Sequence, residues 1–283
     1  MVAKLTHIAI SAVNPALMKT FYRGVFGLHS VSERSEAGFL TDGYINFAFN
    51  FRKPGYQAGL DHFGFEIDNL DDVQRRIREL YPTCHVTTRP SHRGYVGMAG
   101  HDPEGHVFDL SYPEMGERRR RVSHSKEGED RTPRHIHHLA MRVLDPPAIA
   151  RFYQDVFELK LAKETGEDGV YHLTDGVLTF EILPWRITDF AEAGIVERPA
   201  LDHVGFEVES IDAYKHDLEL LIEEYPEAAP WADKRDEQRL RDERAARAKL
   251  LTTCEYHEDH LWDPECVFFD IREYEPAGVL SAQ

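Results

Sequence analysis

The sequence predicts an α+β protein built from four βαβββ modules, two in each of two similar halves. Three observations predict this fold class. The chain contains an internal repeat, each repeat holds an alternating apolar run followed by a helical one, and turn signals separate the short strands that come next. The length of 283 residues, with 42% hydrophobic and 29% charged side chains, is sufficient for two ordinary globular domains.

The repeat is visible as blocks that align without gaps. The three clearest pairs of blocks are His7–Tyr22 with His138–Tyr153, Leu60–Glu66 with Leu201–Glu207, and Asp102–Leu110 with Asp263–Ile271. Because the same pattern occurs twice, each residue of these blocks has an equivalent in the other half. The chain is therefore two copies of one domain.

The first module of each copy begins with an alternating strand. In the first copy this strand runs from His7 to Val13, and the Asn14-Pro15 pair then supplies a helix cap and a first-turn proline. Apolar residues recur at helical spacing as far as Phe26. Three short strands are predicted to follow, at 28–33, 38–42 and 44–50, with Asp42-Gly43 as the hairpin turn between the last two.

The second module repeats this order. We expect a strand from His62 to Ile67, a helix from about Asp71 to Leu80, and strands near His85, Tyr95 and Val107. The second copy has the same succession of elements. The predicted organisation is a first domain over residues 1–116, a polar linker over 117–134 and a second domain over 135–283. The interval from Leu201–Glu207 to Asp263–Ile271 is longer than the equivalent interval in the first copy, which places an inserted, charged helix near 233–250.

Composition excludes several classes of protein. Asp and Glu number 50 against 33 Lys and Arg, so the formal charge of −17 disfavours nucleic acid as a partner. Three scattered cysteines do not make a disulfide framework or a thiolate zinc site. No apolar run reaches the about 20 residues of a membrane helix, and the N-terminus has no signal-peptide pattern. We therefore expect a cytoplasmic protein that binds a small molecule, and a homo-oligomer is compatible with the sequence.

Both copies place the same three coordinating side chains at equivalent positions. They are His7, His62 and Asp109 in the first copy and His138, His203 and Asp270 in the second. Two imidazoles and one carboxylate suit a divalent first-row metal with open positions, and Mn(II), Zn(II) and Ni(II) fit almost as well as Fe(II). Each Asp interrupts an apolar strand, where an unpaired carboxylate would be costly and a metal ion would compensate its charge.

These motifs resemble the vicinal oxygen chelate superfamily, which includes glyoxalase I, bleomycin-resistance proteins and type I extradiol dioxygenases. The resemblance lies in the His-Ile-Ala-Ile start, the Asp-His-x-Gly-Phe block and the Asp-Pro-Glu-Gly-x-x-x-Asp-Leu end, and it covers nearly the whole chain except the linker and the insertion. It implies that paired modules curl into a cup around a metal. It also implies ligands from the first, fifth and eighth strands, which are the positions of the two triads.

Four modules in one chain is the arrangement of the ring-cleaving extradiol dioxygenases. For that group the resemblance implies that only the C-terminal domain keeps a working Fe(II). Two features depart from the group. An Asp stands where the eighth-strand ligand is usually Glu, and the stretch 186–192 has no acid–base histidine. We therefore predict that the acid–base groups are Tyr256, His257 and His260, which precede the second carboxylate.

The sequence leaves three functions open. The first is an Fe(II) extradiol dioxygenase acting on a catechol-like aromatic. The second is a glyoxalase-type isomerase or lyase, in which Glu66 or Glu207, four residues after the second histidine of each triad, would move a proton if it pointed into the cup. The third is a metal-free protein that binds a small molecule or drug.

Overall fold

The computed structural model describes residues 3–30, 38–53, 55, 58–88, 97–111, 131–163, 165–187, 198–230, 259–265 and 267–274. The inserted charged helix predicted at 233–250 and most of the linker lie outside the described residues.

The first copy contains eight strands and two helices within its described residues. In chain order they are β1 (Lys4–Ala12), α1 (Pro15–Phe26), β2 (His29–Ser30), β3 (Gly38–Thr41), β4 (Asn46–Phe51), β5 (Gly59–Glu66), α2 (Leu70–Leu80), β6 (Val86–Thr88), β7 (Met98–His101) and β8 (Val107–Ser111). This is the βαβββ order, twice.

The second copy repeats the order over the described part of the chain. Its elements are β9 (His135–Val143), α3 (Pro146–Phe157), β10 (Lys160–Lys163), β11 (Tyr171–Thr174), β12 (Thr179–Pro184), β13 (Ala200–Val208), α4 (Ile211–Glu224), β14 (Asp259–Trp262) and β15 (Phe268–Glu273), with a single 3-10 turn at Pro226–Ala228. The predicted α+β fold class with two similar domains is confirmed. Three modules show the complete βαβββ order, and the described residues of the last module show β13, α4, β14 and β15.

Each copy forms one mixed sheet in which its two modules lie side by side. The strand orders are β2-β3-β4-β1-β5-β8-β7-β6 and β10-β11-β12-β9-β13-β15-β14. The first strands of the two modules, β1 with β5 and β9 with β13, are antiparallel neighbours at the centre. The last strand of each module pairs in parallel with that module's first strand. The centre of each sheet is therefore made of the strands that carry the triads.

Local signals place the helices as the sequence predicts. The side chain of Asn14 accepts a hydrogen bond from the backbone N–H of Leu17, and Asp145 does the same for Ala148 in the second copy. The helix α1 ends at Gly27, whose φ of 65° suits glycine.

One predicted turn is longer than expected. The Asp42-Gly43 pair does not make a two-residue hairpin, because β4 begins only at Asn46. Asp42 Oδ1 accepts the backbone N–H groups of both Tyr44 and Ile45, and the Thr41 hydroxyl donates to the Ile45 carbonyl. These side-chain bonds stabilise a wider turn in place of the tight one.

The two copies share one apolar core. Phe26 of α1 stacks on Phe206 of β13 with ring centroids 3.9 Å apart, and the equivalent pair, Phe157 of α3 and Phe65 of β5, stacks at 4.3 Å. Each copy's first helix therefore packs on a strand of the other copy's second module. Aromatic pairs of this kind add to the free energy gained by burying apolar area.

Polar contacts between the copies follow the same reciprocity. Tyr22 donates its hydroxyl hydrogen bond to Asp263 at 2.9 Å, and Tyr153 donates to Asp102 at 3.0 Å. The next acidic residue of each Asp-Pro-Glu turn acts likewise: Glu265 accepts the backbone N–H groups of residues 13 and 14, and Glu104 accepts those of residues 144 and 145. The interface is built from the repeated motif itself.

The two interface aspartates differ in one partner. Asp102 also contacts His106 Nδ1 at 2.8 Å, whereas the residue equivalent to His106 in the second copy is Val267. Burial raises the pKa of Asp263 to about 7, although the N–H groups of Val267 and Glu265 and the Tyr22 hydroxyl bond to its carboxylate.

No helix in the described ranges is both long enough and apolar enough to cross a lipid bilayer.

The raised pKa of Asp263 predicts how stability depends on pH. The folded chain binds this proton more tightly than the unfolded chain, so Asp263 lowers the free energy of unfolding as the pH rises from about 4 to about 7. We expect Asp263→Asn to reduce this loss by on the order of 2 kcal/mol, measured by urea unfolding at pH 5 and pH 8. Asp102→Asn is the matched control. If the free energy of unfolding of Asp263→Asn fell as much between pH 5 and pH 8 as that of the wild type, Asp263 would not be the group responsible.

Candidate metal centres

The first triad lies on three adjacent strands at the centre of its sheet. His7 on β1 is in register with Gly64 on β5, and Gly64 is in register with Asp109 on β8. His62 lies two residues before Gly64 on β5, on the same side of the strand because side chains alternate. The second copy repeats this row as His138, Gly205 and Asp270, with His203 two residues before the glycine.

The ligand atoms of the first triad converge. Asp109 Oδ2 lies 3.2 Å from Nε2 of His62 and 3.5 Å from Nε2 of His7. The two imidazole rings are nearly perpendicular, at 83°, with centroids 5.5 Å apart. The structure thus brings together all three residues that the sequence predicts for this site.

The second triad is equally compact. The Nε2 atoms of His138 and His203 are 3.1 Å apart, and the two Asp270 carboxylate oxygens lie 3.4 Å from His138 Nε2 and 3.5 Å from His203 Nε2. The angle between the rings is 89°. Strands that are far apart in the sequence meet here, so the geometry depends on the whole domain.

The residues present fit a divalent metal. In each triad one ligand atom from every side chain lies within 4.8 Å of the others, and all six residues are buried. Two neutral nitrogen donors and one carboxylate form the donor set preferred by Fe(II), Mn(II), Zn(II) and Ni(II). A bound cation would also offset the cost of burying each carboxylate.

A glycine creates the space for the first-strand histidine in each copy. A Cβ atom on Gly64 would lie 2.2 Å from the His7 ring, and one on Gly205 would lie 1.8 Å from the His138 ring. Any larger residue would displace the imidazole. This contact gives a physical reason for the glycine in both Asp-His-x-Gly-Phe blocks.

The aspartate of the same block orients the second histidine. Asp61 lies 2.7 Å from Nδ1 of His62, and Asp202 lies 2.7 Å from Nδ1 of His203, which directs each Nε2 toward the centre of its triad. Asp202 also accepts a hydrogen bond from Arg142 Nε at 2.8 Å. Burial opposes its ionisation, but Arg142 and His203 lower the pKa of Asp202 to about 2.

The electrostatic balance differs between the triads. In the first, burial opposes protonation of His62, yet hydrogen bonds with Asp109 and Asp61 raise its pKa. Burial likewise acts against the Asp109 anion, but His62 and His7 lower the pKa of that carboxyl. In the second triad burial holds the pKa of His138 well below its usual range. The neighbouring carboxylates therefore favour the charged form of His62 in the first triad, whereas burial favours the neutral form of His138 in the second.

The predicted acid–base residues are only partly described. Tyr256 and His257 lie outside the described residues. The backbone of His260 belongs to β14, in register with Asp270 of the second triad. The residue at the same register beside Asp109 is Ala99, so the first copy has no histidine at this position.

Glu207 is not positioned as an uncommitted base. The pairing of β13 with β9 skips His137 of β9 between Gly205 and Phe206, but β13 pairs with β15 without interruption from Val204 to Val208, so Glu207 keeps the alternation expected from His203. The carboxylate of Glu207 contacts Arg272 at 2.7 Å and His135 at 3.0 Å. Burial opposes its ionisation, but His135 and Arg272 lower the pKa of Glu207 to about 2. Glu66, its equivalent, is half-buried at the end of β5.

Sequence reasoning missed two residues of the second site. Glu181 on β12 is fully buried, and its Oε2 lies 4.0 Å from Nε2 of His138. His172 on β11 is also buried, and its Nδ1 lies 3.6 Å from Oε1 of Glu181. The alignment of the two copies contains a signal for Glu181. Thr-Phe-Glu-Ile of β12 aligns with Asn-Phe-Ala-Phe of β4, so the second copy has a carboxylate between apolar residues where the first copy has alanine.

Comparison with known proteins identifies the family. The model of the Glyoxalase/Bleomycin resistance protein/Dioxygenase superfamily matches residues 4–110 and 135–219, one match in each copy. The chain belongs to this superfamily.

Individual relatives are distant. A stretch of 80 residues, 27% of this chain, is 31% identical to the probable trivalent organoarsenical cleaving enzyme of Bacillus subtilis, and it spans only about half, 54%, of that relative. The Mn(II)-bound glyoxalase from Novosphingobium aromaticivorans superposes with a TM-score of 0.62 at 15% identity, over 96% of this chain and 82% of the other. A catechol 2,3-dioxygenase superposes with a TM-score of 0.59 at 14% identity, over 98% and 90%. These two structures share the fold.

The glycine contact predicts a loss of metal confined to one site. We expect Gly64→Ala to displace His7 and Gly205→Ala to displace His138, so that each variant binds about one metal ion fewer per chain than the wild type. The measurement is metal content after anaerobic reconstitution and desalting, with circular dichroism to verify folding. The two variants control for each other, and full occupancy in a folded variant would contradict the role assigned to the glycine.

The contact between Asp61 and His62 predicts a smaller effect. Asp61→Asn removes the charge behind Nδ1 but keeps an oxygen there, so metal affinity at the first site should fall about 10-fold to 100-fold. Calorimetric titration in a His138→Ala/His203→Ala background isolates this site. Unchanged affinity would mean that Asp61 does not assist the ligand.

Proposed function

We propose that this member of the superfamily is a metal-dependent enzyme that binds two adjacent oxygen atoms of a small substrate. The specific activity proposed is that of an Fe(II) extradiol dioxygenase, which cleaves the ring of a catechol-like aromatic. The observation that carries the proposal is the convergence of two imidazole Nε2 atoms and one buried carboxylate in each copy. Such a set holds one face of an octahedral ion and leaves the opposite face for other ligands.

The bound metal would supply a Lewis acid that holds both substrate oxygens and O2 in one coordination sphere. The balance of the reaction is complete with these two reactants. The carbon–carbon bond next to the diol breaks, both atoms of O2 enter the ring-opened product, and the electrons that reduce O2 come from the substrate. No external reductant is required.

The chain's own residues hold and orient the ion. Asp61 and Asp202 fix the tautomer of the histidine that follows each of them, and Gly64 and Gly205 leave room for the other imidazole. The apolar side chains under the sheets hold these strands rigidly, which is what a chelating site requires.

Proton transfer from the substrate hydroxyls needs a base near neutrality. We assign this role to Tyr256, His257 and His260. The support for His260 is that its backbone is in register with Asp270 on the neighbouring strand. Tyr256 and His257 precede the same strand in sequence and remain predictions.

The comparisons support the choice of reaction at the level of the fold. The catechol 2,3-dioxygenase superposes over nearly the whole of both chains, so the fold is compatible with this reaction. The organoarsenical cleaving enzyme is a relative over part of the chain, and the cleavage that its name describes also breaks a bond in a small molecule.

A second candidate is a glyoxalase-type isomerase or lyase. The observation in its favour is the pair Glu181 and His172, which places an extra carboxylate 4.0 Å from a ligand nitrogen of the second triad. A carboxylate beside a metal-held enediolate can accept and return a proton, without O2.

Oxygen uptake distinguishes these activities. The anaerobically Fe(II)-loaded protein should consume about one O2 per catechol ring opened, and removal of the metal by a chelator should abolish uptake because no substrate chelation remains. The measurement is an oxygen electrode run alongside the absorbance of the ring-opened product, with catechol and substituted catechols as substrates.

Metal content, measured together with O2 uptake, distinguishes the dioxygenase, the isomerase or lyase, and the metal-free binding protein. Bound metal without O2 uptake would contradict the dioxygenase proposal and favour the isomerase or lyase. Absence of metal after reconstitution would overturn both and leave a metal-free binding protein.

A further inference from the structure

An aspartate of each copy bonds to the strand that carries the first histidine of the opposite triad. We propose that Asp42 and Asp175, the aspartates of the two Leu-Thr-Asp-Gly turns, are positioning residues that act on the opposite copy. Asp42 orients His138 of the second triad, and Asp175 orients His7 of the first. This inference rests on the proposed function, because it assigns both aspartates a role in metal binding.

The first histidine of each triad follows a β-bulge. The pairing of β1 with β5 runs from Leu5 directly to His7 and leaves Thr6 as an extra residue. The pairing of β9 with β13 skips His137, the equivalent residue, in the same way. A bulge interrupts the alternation of side chains along a strand, so it can turn the next side chain to the other face.

The bulge decides which face of the sheet the histidine occupies. Residues three positions apart on a regular strand point to opposite faces, yet Leu5 and Ile8 both lie in the apolar core. The extra residue between them turns the His7 imidazole away from the core and toward its triad. Ile136 and Leu139, which are both in the core, show the same reversal in the second copy. The position of each first histidine therefore depends on the bulge.

The residue before each bulge is bound by the opposite copy. The pairing of β1 with β4 starts at His7. Ahead of this point the backbone N–H of Leu5 donates to the carboxylate of Asp175 at 2.9 Å. In the second copy the backbone N–H of Ile136 donates in the same way to Asp42, at 3.0 Å. Each carboxylate thus holds the backbone two residues ahead of a metal-site histidine, on the far side of the bulge.

Each carboxylate is itself held in place by its own turn. Oδ1 of Asp42 accepts the backbone N–H groups of residues 44–45, and Oδ1 of Asp175 accepts those of residues 177–178. The second oxygen, Oδ2, reaches across to the other copy. Both aspartates are buried, so these hydrogen bonds are shielded from water.

Further donors compensate the two buried charges. Arg131 donates to Oδ2 of Asp42 at 2.6 Å and also to the carbonyl of Ile136, so its guanidinium joins both sides of the contact. Tyr44 donates the hydrogen bond of its hydroxyl to Oδ2 of Asp175 at 2.8 Å. A buried carboxylate with such donors can remain charged, and a charged carboxylate is the stronger acceptor for a backbone N–H.

The contact makes each metal site depend on the other copy. Without the acceptor at Oδ2, the backbone before the bulge loses its anchor, and the imidazole after the bulge is no longer held in one orientation. A metal site requires ligands that are fixed before the ion arrives. Loss of one of these aspartates should therefore lower the metal affinity of the opposite triad and leave the triad of its own copy unchanged.

Substitution of each aspartate by asparagine tests the inference in full-length proteins that retain one triad. His138→Ala/His203→Ala retains the first triad, and His7→Ala/His62→Ala retains the second. Asparagine keeps an oxygen for the N–H groups of the turn but places an NH2 group where Oδ2 accepted a hydrogen bond. Affinity for Mn(II) is measured from the electron paramagnetic resonance signal of the free ion.

The expected effect lies in the copy that does not contain the substituted residue. Asp42→Asn should weaken Mn(II) binding about 10-fold to 100-fold at the second triad and leave the first unchanged. Asp175→Asn should give the reverse. Tyr44→Phe is the matched control, because it removes a different hydrogen bond to Asp175 but keeps the bond from Leu5, so Mn(II) affinity should not change.

Two results would overturn the inference while leaving the proposed function intact. One is a loss of affinity that is equal at both triads or confined to the copy that carries the substitution. The other is unchanged Mn(II) affinity at the opposite triad of a folded variant. Thermal unfolding verifies folding, and Asp175→Asn decides the result if Asp42→Asn does not fold. Absence of Mn(II) binding from both parent proteins would instead refute the proposed function, and the inference with it.

Discussion

A buried carboxylate between two imidazoles is the constraint around which each half of this protein is arranged. Asp109 and Asp270 are almost completely inaccessible to water, and the residues on either side of each are buried and apolar. Such a charge is tolerated only when donors or a cation surround it. The register of the central strands places the donors, the glycine between them allows close approach, and the preceding aspartate orients the second ring. A divalent metal would complete the set.

The packing of the two copies holds these strands in place. The Asp-Pro-Glu turn that leads into β8 also binds the other copy, through Tyr153 and the start of α3, and the turn before β15 does the same through Tyr22 and α1. The strand that carries each metal-site carboxylate is thus anchored at its beginning by the opposite half. Reciprocal aromatic stacks on the core side complete the interface. The two sites are therefore held by one continuous packed body.

The repeat made most of the fold and both triads predictable. Once His7 and His138 are aligned, the equivalent residues follow, and helix caps such as Asn14 give the element boundaries. Features that depend on side chains bonding to a particular backbone were not predictable. The Asp42-Gly43 pair predicts a tight turn, but hydrogen bonds to the Asp42 side chain make the turn wider. Glu207 keeps the predicted alternation, but its carboxylate is bound by Arg272 and His135. Glu181 was missed because it occurs in only one copy, whereas the repeat reveals only residues that occur in both.

Divergence between the copies lies beside the triads and leaves the triads themselves unchanged. Glu181, His172 and Arg142 surround the second triad, where the first copy has Ala48, Phe39 and Ser11. Each triad of two histidines and one aspartate is proposed to hold a divalent ion. The most direct test is anomalous diffraction from crystals grown anaerobically with Fe(II) or Mn(II). The claim predicts one peak per copy, about 2.2 Å from both imidazole Nε2 atoms of the triad. Peaks absent from both triads, or found only elsewhere on the chain, would contradict it.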